Sequence, residues 1–345
     1  SLIYGEPNEE GEWIRKEALG SNEVVVVDEA SMIDVNVLKD LRHLARNTKV
    51  VFLGDGGQLE PVSKDPKLLM KSDIELVEVR RQNLKSNILK FATVLRGIKK
   101  VFMPDKSDGD VSVVKNAEKE FLGAIKSGED VVFITGTNKR RILLNWKARQ
   151  TKYGKKANNP LNKEEHVIGI ANSENRKNGE VYVINDIDGN VTPVKVKVKK
   201  GDKIVELDAI VFREKVSNNE TVETILITET PYPAIYHKMI TNPRELGVAT
   251  KATFGTGKES VSPNVNIATY SYAITGHKSQ GNEWSKVFVV QDAFRNNVRW
   301  LYTAVTRAQD NLIMENTGQA KGAWSKIKAK AEQLSEESVR SGEKE

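Results

Sequence analysis

The sequence predicts an α/β fold with parallel sheets, interrupted by a small all-β module. VVVV at 24–27 precedes a helical spacing of apolar residues at 35–45, and KVVFL follows at 49–53. Four consecutive β-branched residues are typical of a strand buried on both faces, as in a parallel sheet. From 178 to 230, short alternating runs separated by Gly, Asn and Asp predict a compact β module instead.

The other elements of the α/β part follow in order along the chain. GDGGQ at 54–58 is predicted as a turn at the carboxyl end of the 49–53 strand. The later elements are a strand at 74–79, a helix at 86–96, a loop-rich polar stretch at 101–114, a strand at 131–135 and a basic helix at 139–151. The α/β pattern returns at Val265 and includes a helix at 297–306.

These changes of pattern predict the domain organisation. The β module interrupts the second α/β domain, because the α/β pattern is present on both sides of it. The first α/β domain is predicted at 1–90, with a short hairpin near 5–20. The other parts are a second α/β domain at 91–177 and 260–317, an inserted β domain at 178–259, and a charged tail at 318–345 with a disordered end.

Composition restricts the classes of protein that fit the chain. Of 345 residues, 39% are hydrophobic and 29% are charged, an ordinary balance for globular domains. Cysteine is absent, which excludes disulfides and thiolate metal sites, and the four histidines lack zinc-ligand spacing. No apolar run approaches the roughly 18 residues of a membrane helix, and we expect a cytoplasmic protein. The net charge of +6 favours an anionic partner.

Loops at predicted strand ends carry the residue types of nucleotide hydrolysis. They are DE at 28–29, GDGGQLEPV at 54–62, EVRRQN at 78–83, and TGHKSQGNEW at 275–284 together with YTAVTRAQD at 302–310. Carboxylates hold magnesium or polarise an attacking water, a glutamine senses the γ-phosphate, and arginines neutralise charge in the transition state. Because ligands of open α/β sheets bind at the carboxyl ends of strands, these loops together predict a nucleotide site.

The motifs VVVVDEAS, GDGGQLEPV, EVRRQ, TGHKSQGNEW and LYTAVTRA, in this order, resemble those of superfamily 1B DNA helicases of the RecD-like and Dda-like branch. The resemblance covers most of residues 1–315. It implies two RecA-like P-loop NTPase-type domains, the first incomplete, with an inserted small SH3-like β domain. It also implies an ATP-dependent DNA helicase that needs ATP and Mg²⁺, with ATP between its motor domains. The expected form is a monomer that moves 5′ to 3′ on single-stranded DNA, in a bacterial or phage-infected cell.

The resemblance assigns roles to the first two motifs. Asp28 resembles the magnesium-associated carboxylate, and Glu29 resembles the catalytic base. Asp55 and Gln58 resemble the motif that couples the γ-phosphate to DNA, with Gln58 as its sensor.

Later motifs supply the arginines and the second side of the nucleotide site. Arg81 resembles the first γ-phosphate arginine, and Arg80 is the adjacent alternative because VRRQ leaves the register open by one. Arg307 resembles the arginine finger from the second motor domain. Gly281 and Glu283 resemble the nucleotide-side part of their motif.

Two segments resemble DNA-contacting parts of the family. Thr275, His277 and Lys278 resemble the DNA-side part of the TGHKSQGNEW motif. Thr137 and Asn138, in TGTNKR, resemble a DNA-contacting loop of lower specificity.

Structural alternatives stay open for several of these residues. Asp28 and Glu29 also suit a helix N-cap and a first-turn acid, and His277 also suits a hydrogen-bonded core position. The basic helix at 139–156 is either a solvated face or a surface that binds a nucleic-acid backbone. Three tryptophans either stack on bases or pack in the core, namely Trp146, Trp284 and Trp300.

A phosphate loop of the form GxxxxGK[ST] is missing from the motif set. In the family this loop precedes the strand that ends in DE, and nothing in 1–23 fits it. FGTGKES at 254–260 is a look-alike, but Glu259 replaces the Ser or Thr and Ala252 replaces the first glycine. We expect a fragment without the first part of motor domain one. The alternatives are a partner chain that carries the loop, or a degenerate protein that binds DNA without hydrolysis.

Two other functions fit the same residues. One is a non-catalytic nucleic-acid-binding module, which would keep the basic surface without turnover. The other is an RNA helicase of the same superfamily, because contacts to DNA and RNA in such motors are mainly to backbone and stacked bases.

Overall fold

Two compact units make up the chain, residues 1–80 and 81–345. The computed structural model describes residues 4–7, 13–15, 24–33, 35–46, 48–59, 72–74, 86–97, 101, 103–200, 203–215, 221–228, 265–290, 297–316, 321–322, 329–331 and 333. No helix within these ranges is long and apolar enough to cross a membrane.

The first unit contains two pairs of strands and one α-helix in its described part. β1 (Tyr4–Pro7) pairs antiparallel with β2 (Trp13–Arg15), where the sequence predicts a hairpin. β3 (Val24–Val27) pairs parallel with β4 (Lys49–Phe52). Between them lies α1 (Val35–Leu44), in which Leu41 and Leu44 are buried.

The prediction that β3 is buried on both faces is wrong. Val24 and Val26 are 59% and 57% exposed, whereas Val25 is only 7% exposed. On the neighbouring segment, Val51 and Leu53 are also exposed. Successive side chains of a strand point to opposite faces, so a run of four valines cannot tell which face is covered.

A five-stranded parallel sheet is the centre of the second unit. Its strands are β6 (Val111–Val114), β7 (Val131–Thr135), β14 (Ala273–Thr275), β15 (Trp284–Val289) and β16 (Ala308–Glu315). Their order is β14–β7–β15–β16–β6, and all four pairings are parallel. β7, with the sequence VVFIT, lies between β14 and β15 and is buried along its whole length.

Four helices accompany this sheet: α2 (Asn87–Gly97), α3 (Ala117–Lys126), α4 (Asn138–Tyr153) and α5 (Val298–Val305). A 3-10 helix, Gly154–Asn158, follows α4. Phe121 of α3 packs edge-on against Phe133 and Phe288 of the sheet, with ring centroids 5.3 and 5.6 Å apart. The helices predicted at 86–96, 139–151 and 297–306 are confirmed, and so is the α/β class with parallel strands and connecting helices.

The inserted β module belongs to a six-stranded sheet. Its strands are β8 (Glu165–Gly169), β9 (Val181–Ile184), β10 (Ile187–Lys200), β11 (Lys203–Lys215), β12 (Thr221–Ile227) and β13 (Asn266–Tyr270), in the order β10–β11–β12–β13–β8–β9. Only the pairing of β12 with β13 is parallel. β8 and β13 lie outside the predicted insertion at 178–259, and the SH3-like identity of the module stays a prediction.

Some elements differ from the sequence-based expectation. The stretch predicted as a loop at 101–114 contains β5 (Met103–Pro104) and β6, and β5 pairs with β17 (Lys321–Gly322). β8 and β16 were not predicted as strands, because their polar residues hide the alternation. The strand predicted at 74–79 lies outside the described residues except for Ile74, which is 81% exposed.

Candidate nucleotide and nucleic-acid sites

The carboxyl ends of β3 and β4 lie side by side in the first unit. The Leu53 amide donates to the Val27 carbonyl at 2.8 Å, and the Ala30 amide donates to the Leu53 carbonyl at 2.8 Å. The DE pair at 28–29 directly follows β3, and Asp55 follows β4 by three positions. The structure therefore brings the two predicted carboxylate motifs to adjacent loops of one sheet edge, where α/β proteins bind ligands.

Glu29, the predicted catalytic base, has an unusual backbone conformation. Its φ of 50° and ψ of 43° lie in the left-handed region, which non-glycine residues rarely adopt and which recurs at functional sites. The Oδ1 atom of Asp28 accepts a hydrogen bond from the Glu29 amide at 2.8 Å. Glu29 precedes a 3-10 helix, Ala30–Met32, but its side chain makes no capping hydrogen bond.

A tight turn holds Asp55 and Gln58 in a fixed relation. The Gly57 amide donates to Asp55 Oδ1 at 2.9 Å, and the Gln58 amide donates to the Asp55 carbonyl at 3.1 Å. Gln58 is only 8% exposed, which is unusual for a glutamine at a loop tip. A buried, oriented amide is suited to detecting a single phosphate oxygen, because few rotamers compete with the bound one.

The residue types at this edge fit a magnesium-bound nucleotide. Asp28, Glu29 and Asp55 supply carboxylate oxygens, which magnesium prefers as ligands. In the part of the chain that the structure describes, no group of three or more His, Asp or Glu side chains could hold a metal ion by itself. Such a donor set suits an ion held mainly by nucleotide phosphates and water, with Asp28 in an indirect role.

Three predicted nucleotide-side features lie outside the described residues. They are the two arginines of EVRRQ, Arg80 and Arg81, and the look-alike loop at 254–260.

In the second unit, the carboxyl ends of β7 and β14 bring the two predicted DNA-side segments together. Thr135 and Thr275 are partners in the parallel register, and the Gly276 amide donates to the Thr135 carbonyl at 3.3 Å. Thr137 caps α4, since its side chain accepts from the Arg140 amide at 3.3 Å. The loop after β7 and the loop after β14 are therefore neighbours.

The side chain of Asn138 is used inside the fold. Its Oδ1 accepts from Nε of Arg141 at 3.0 Å, and Arg141 is only 4% exposed. Arg141 is a buried cation of this site that the sequence did not single out, because its position within a run of basic residues looks like a solvated face.

The loop after β14 is closely packed. The Ser279 hydroxyl donates to the Gly276 carbonyl at 2.8 Å, and Ser279 is fully buried. A Cβ atom on Gly276 would lie 2.5 Å from Nε1 of Trp300, so this position accepts only glycine without rearrangement. Gly281 ends the loop with a φ of +80°, a left-handed conformation.

Lys278 and His277 lie in this loop with altered proton affinities. The pKa of Lys278 is lowered to about 8, first by burial and second by the positive charge of Arg141. Burial also lowers the pKa of His277. Crowded, partly desolvated cations gain from an anion, so a phosphate group at this loop would stabilise the protonated form of Lys278.

Arg307, the predicted arginine finger, is 2% exposed and hydrogen-bonded inside the second unit. Its Nε donates to the Thr303 carbonyl at 3.1 Å, and its Nη1 donates to the Asn282 carbonyl at 3.3 Å. Its Nη2 lies 3.1 Å from the Thr306 hydroxyl oxygen, to which it donates. The guanidinium is thus held against the end of the TGHKSQGNEW motif.

Glu283 and Gly281 flank the residue that Arg307 contacts. The side-chain nitrogen Nε2 of Gln309 donates a hydrogen bond to Glu283 Oε2 at 3.0 Å. The Trp284 amide donates to the Arg307 carbonyl at 3.0 Å, which fixes the start of β15 beside the end of α5. Gly281 and Glu283, predicted from one motif, and Arg307, predicted from another, therefore belong to one cluster.

Two basic residues of helix α4 have acidic partners from other elements. Arg149 is 5% exposed and forms a fork with Glu165, from Nε to Oε1 at 3.0 Å and from Nη2 to Oε2 at 3.1 Å. Lys147 pairs with Glu118. The sequence could not reveal these partners, because they come from other elements. Of the tryptophans, Trp284 and Trp300 are buried and Trp146 is 40% exposed.

Asn145 is a further residue that the sequence did not single out. Its Nδ2 donates to the carbonyls of Tyr270 and Ala273, both at 3.1 Å, and its Oδ1 accepts from the Ala273 amide at 2.7 Å. This amide joins α4 to the segment between β13 and β14, and so fixes the base of the loop that carries Lys278.

Two family models match parts of the chain. A model described as the UvrD-like helicase C-terminal domain matches residues 270–314, and a model described as an AAA domain matches residues 7–100. The first range contains Lys278 and Arg307, and the second contains Glu29 and Gln58. A comparison with curated proteins found no match.

Solved structures of low identity are similar over most of the chain. A Pif1 helicase from Candida albicans is similar over 91% of this chain and 76% of that chain, at 17% identity and a TM-score of 0.46. A Pif1 helicase from Bacteroides, in complex with ADP-AlF3 and ssDNA, is similar over 85% and 70%, at 17% identity and a TM-score of 0.43.

Proposed function

We propose that this chain is a superfamily 1B helicase, which acts in ATP-driven 5′ to 3′ movement along single-stranded DNA and in strand separation. The observation that carries the DNA half is the parallel pairing of β7 with β14. This pairing places the loop of Thr137 and Asn138 beside the loop of His277 and Lys278. Cations and a helix N-terminus on neighbouring loops suit a phosphate backbone.

The nucleotide half rests on the edge formed by β3 and β4. Asp28 would orient the magnesium ion through water, Glu29 would accept a proton from the attacking water, and Gln58 would contact the γ-phosphate. Magnesium supplies charge neutralisation on the phosphates. The Glu29 amide donates to the Asp28 carboxylate and the Gly57 amide donates to the Asp55 carboxylate, so these two carboxylates are oriented before a nucleotide arrives.

Nucleic-acid binding is tested first, because it does not depend on hydrolysis. The affinity of the chain for single-stranded DNA and RNA of equal length is measured by fluorescence anisotropy over a series of salt concentrations. We expect tighter binding to DNA and a linear fall of log affinity with log salt. Equal affinity for both would favour the RNA helicase alternative, and no salt-dependent binding would contradict the proposal.

Hydrolysis is tested with Glu29→Gln as the control. DNA-stimulated release of phosphate that disappears in Glu29→Gln would support the helicase proposal. Binding without turnover in both proteins would favour the non-catalytic module for this chain. In a form that hydrolyses ATP, forked DNA with either a 5′ or a 3′ tail tests the direction of movement, and unwinding of the 3′-tailed fork alone would contradict 5′ to 3′ movement.

A further inference from the structure

The loop of residues 171–180, which joins β8 to β9, contacts the Lys278 loop from the side of the inserted sheet. The loop is closed on itself by main-chain hydrogen bonds. The Gly179 amide donates to the Gly169 carbonyl at 2.8 Å, and the Gly169 amide donates to the Glu180 carbonyl at 2.9 Å. A Cβ atom on Gly169 would lie 2.5 Å from the Lys177 carbonyl oxygen, so the two chain segments are in close contact.

Buried polar groups of the six-stranded sheet fix the base of the 171–180 loop. The Ser173 hydroxyl donates to Asn266 Oδ1 at 2.6 Å, and Asn266 Nδ2 donates to Glu214 Oε1 at 2.9 Å. Asn266 and Glu214 are 1% and 3% exposed. The Arg176 guanidinium lies 4.0 Å from the centre of the Tyr182 ring. A loop anchored at several buried points keeps one shape, which a positioning element requires.

Two hydrogen bonds connect the 171–180 loop to the Lys278 loop. Lys278 Nζ donates to Asn178 Oδ1 at 2.5 Å, and Asn282 Nδ2 donates to the Gly179 carbonyl at 2.8 Å. The main chain at Asn178 is itself held in place, because its N–H group donates to Asn172 Oδ1 at 2.8 Å. The carbonyl of Asn282 is also the acceptor for Arg307.

We propose that Asn178 is a positioning residue for nucleic-acid binding, which holds the Lys278 ammonium group so that it faces the phosphate backbone. This inference rests on the proposed function of Lys278. A lysine ammonium has three donors, so one bond to Asn178 leaves two for phosphate oxygens. The amide acceptor carries no charge and does not neutralise the cation. Fixing a flexible lysine in advance also reduces the side-chain entropy lost on binding.

The test is a double-mutant cycle on the affinity for a short oligothymidylate, measured by fluorescence anisotropy with the whole chain. The variants are Asn178→Ala, Lys278→Ala and the two combined. Asn190→Ala, at an exposed position of β10, is the matched control. Thermal unfolding of each variant verifies that it is folded, and Lys278→Gln replaces Lys278→Ala if the latter is not.

We expect Lys278→Ala to weaken binding by about tenfold and Asn178→Ala by about threefold, the scale of one phosphate contact and its orientation. The double variant should bind like Lys278→Ala alone, since Asn178 acts only through Lys278. Lys278→Ala should also reduce the slope of log affinity against log salt by about 0.7. Asn190→Ala should bind like the parent.

The outcomes separate this inference from the proposed function. An unchanged affinity of Lys278→Ala would overturn both the DNA-side role of Lys278 and the role of Asn178. If Lys278→Ala weakens binding but Asn178→Ala does not, only the role of Asn178 is overturned. The same holds if the two effects multiply in full, because Asn178 would then act independently of Lys278.

Discussion

Arg307 donates a hydrogen bond from Nη1 to the main-chain oxygen of Asn282 at 3.3 Å, although it is the residue predicted to act on the nucleotide. The structural role and the catalytic role of Arg307 are compatible only if its guanidinium both supports the loop that contains Asn282 and reaches a phosphate of the nucleotide. We expect Arg307→Ala to slow ATP hydrolysis by about a thousandfold or more, the scale of an arginine finger. It should also lower the free energy of unfolding by about 1–3 kcal/mol, because the buried carbonyl oxygens of Thr303 and Asn282 lose a charged donor.

Single-turnover hydrolysis at saturating ATP, in a form of the protein that hydrolyses ATP, measures the first effect, and urea unfolding measures the second. Arg307→Lys is the informative control, since it keeps the charge but not the planar fork. A lower stability with an unchanged hydrolysis rate would leave Arg307 a structural residue.

The buried fork between Arg149 and Glu165 predicts a large loss of stability when one partner is removed. Glu165 is fully buried and also accepts a hydrogen bond from the Tyr272 hydroxyl at 3.1 Å. In Glu165→Gln, the guanidinium of Arg149 loses its counter-charge, and we expect a loss of about 3–5 kcal/mol in the free energy of unfolding. Urea denaturation followed by circular dichroism checks this value.

Glu118→Gln is the matched control for that change. Glu118 of α3 pairs with Lys147, which lies on α4 like Arg149. The side chains of Glu118 and Lys147 are 26% and 35% exposed. A solvated pair contributes about 1 kcal/mol or less. Similar losses for the two variants would contradict the assigned importance of the buried fork.

His166 predicts a pH dependence of stability. Its ring centroid lies 4.9 Å from that of Tyr272, and its pKa is lowered to about 4, first by burial and second by the charge of Lys152. The unfolded chain, with an ordinary histidine pKa of about 6.5, therefore takes up the proton first. This contribution to stability is present above about pH 6.5 and is lost as the pH falls towards 4, with an upper bound of about 3 kcal/mol.

Unfolding by urea at several pH values between 4 and 7 measures this effect. In His166→Gln, the free energy of unfolding should change less with pH than in the parent. His43→Gln, at an exposed position of α1, should keep the slope of the parent. An identical slope in His166→Gln and the parent would exclude His166 as the titrating group.

Gly276 predicts a steric effect at the site. In Gly276→Ala, the new methyl group would lie 2.5 Å from Nε1 of the buried Trp300, so the Lys278 loop or α5 must shift. We expect a loss of about 1–3 kcal/mol in the free energy of unfolding, together with weaker binding of single-stranded DNA. Gly123→Ala, at an exposed position of α3 with no atom within 4 Å of the new Cβ, should instead stabilise the protein slightly. Thermal unfolding of both variants measures these changes in stability. An unchanged stability of Gly276→Ala would show that the Lys278 loop adapts to the added methyl group.

Local patterns predicted most of the elements that carry the sites. VVFIT predicted the strand β7, and the helical spacing of 35–45 predicted α1, because hydrophobic periodicity depends only on neighbouring residues. The valine run at 24–27 predicted a strand correctly but its burial wrongly. Strand propensity depends on the residue itself, whereas burial depends on what packs against each face.

Local patterns could not predict the partners of the basic side chains. Arg149 lies in a basic segment and is neutralised by the buried Glu165, whereas Lys278 lies in the TGHKSQGNEW motif and is held by an amide oxygen. The neighbouring sequence identifies neither partner, since the partners are 16 and 100 positions away.

The sequence by itself determined the α/β class, the order of the helicase motifs and the residue types offered to a nucleotide and a phosphate backbone. These follow from short-range periodicity and from residue chemistry at strand ends. Only the tertiary structure decided that Arg307 is held by Asn282 and that Asn178 holds Lys278. Such contacts depend on the parallel pairing of distant strands and on the position of the 171–180 loop. Both bring together residues that are far apart in the sequence.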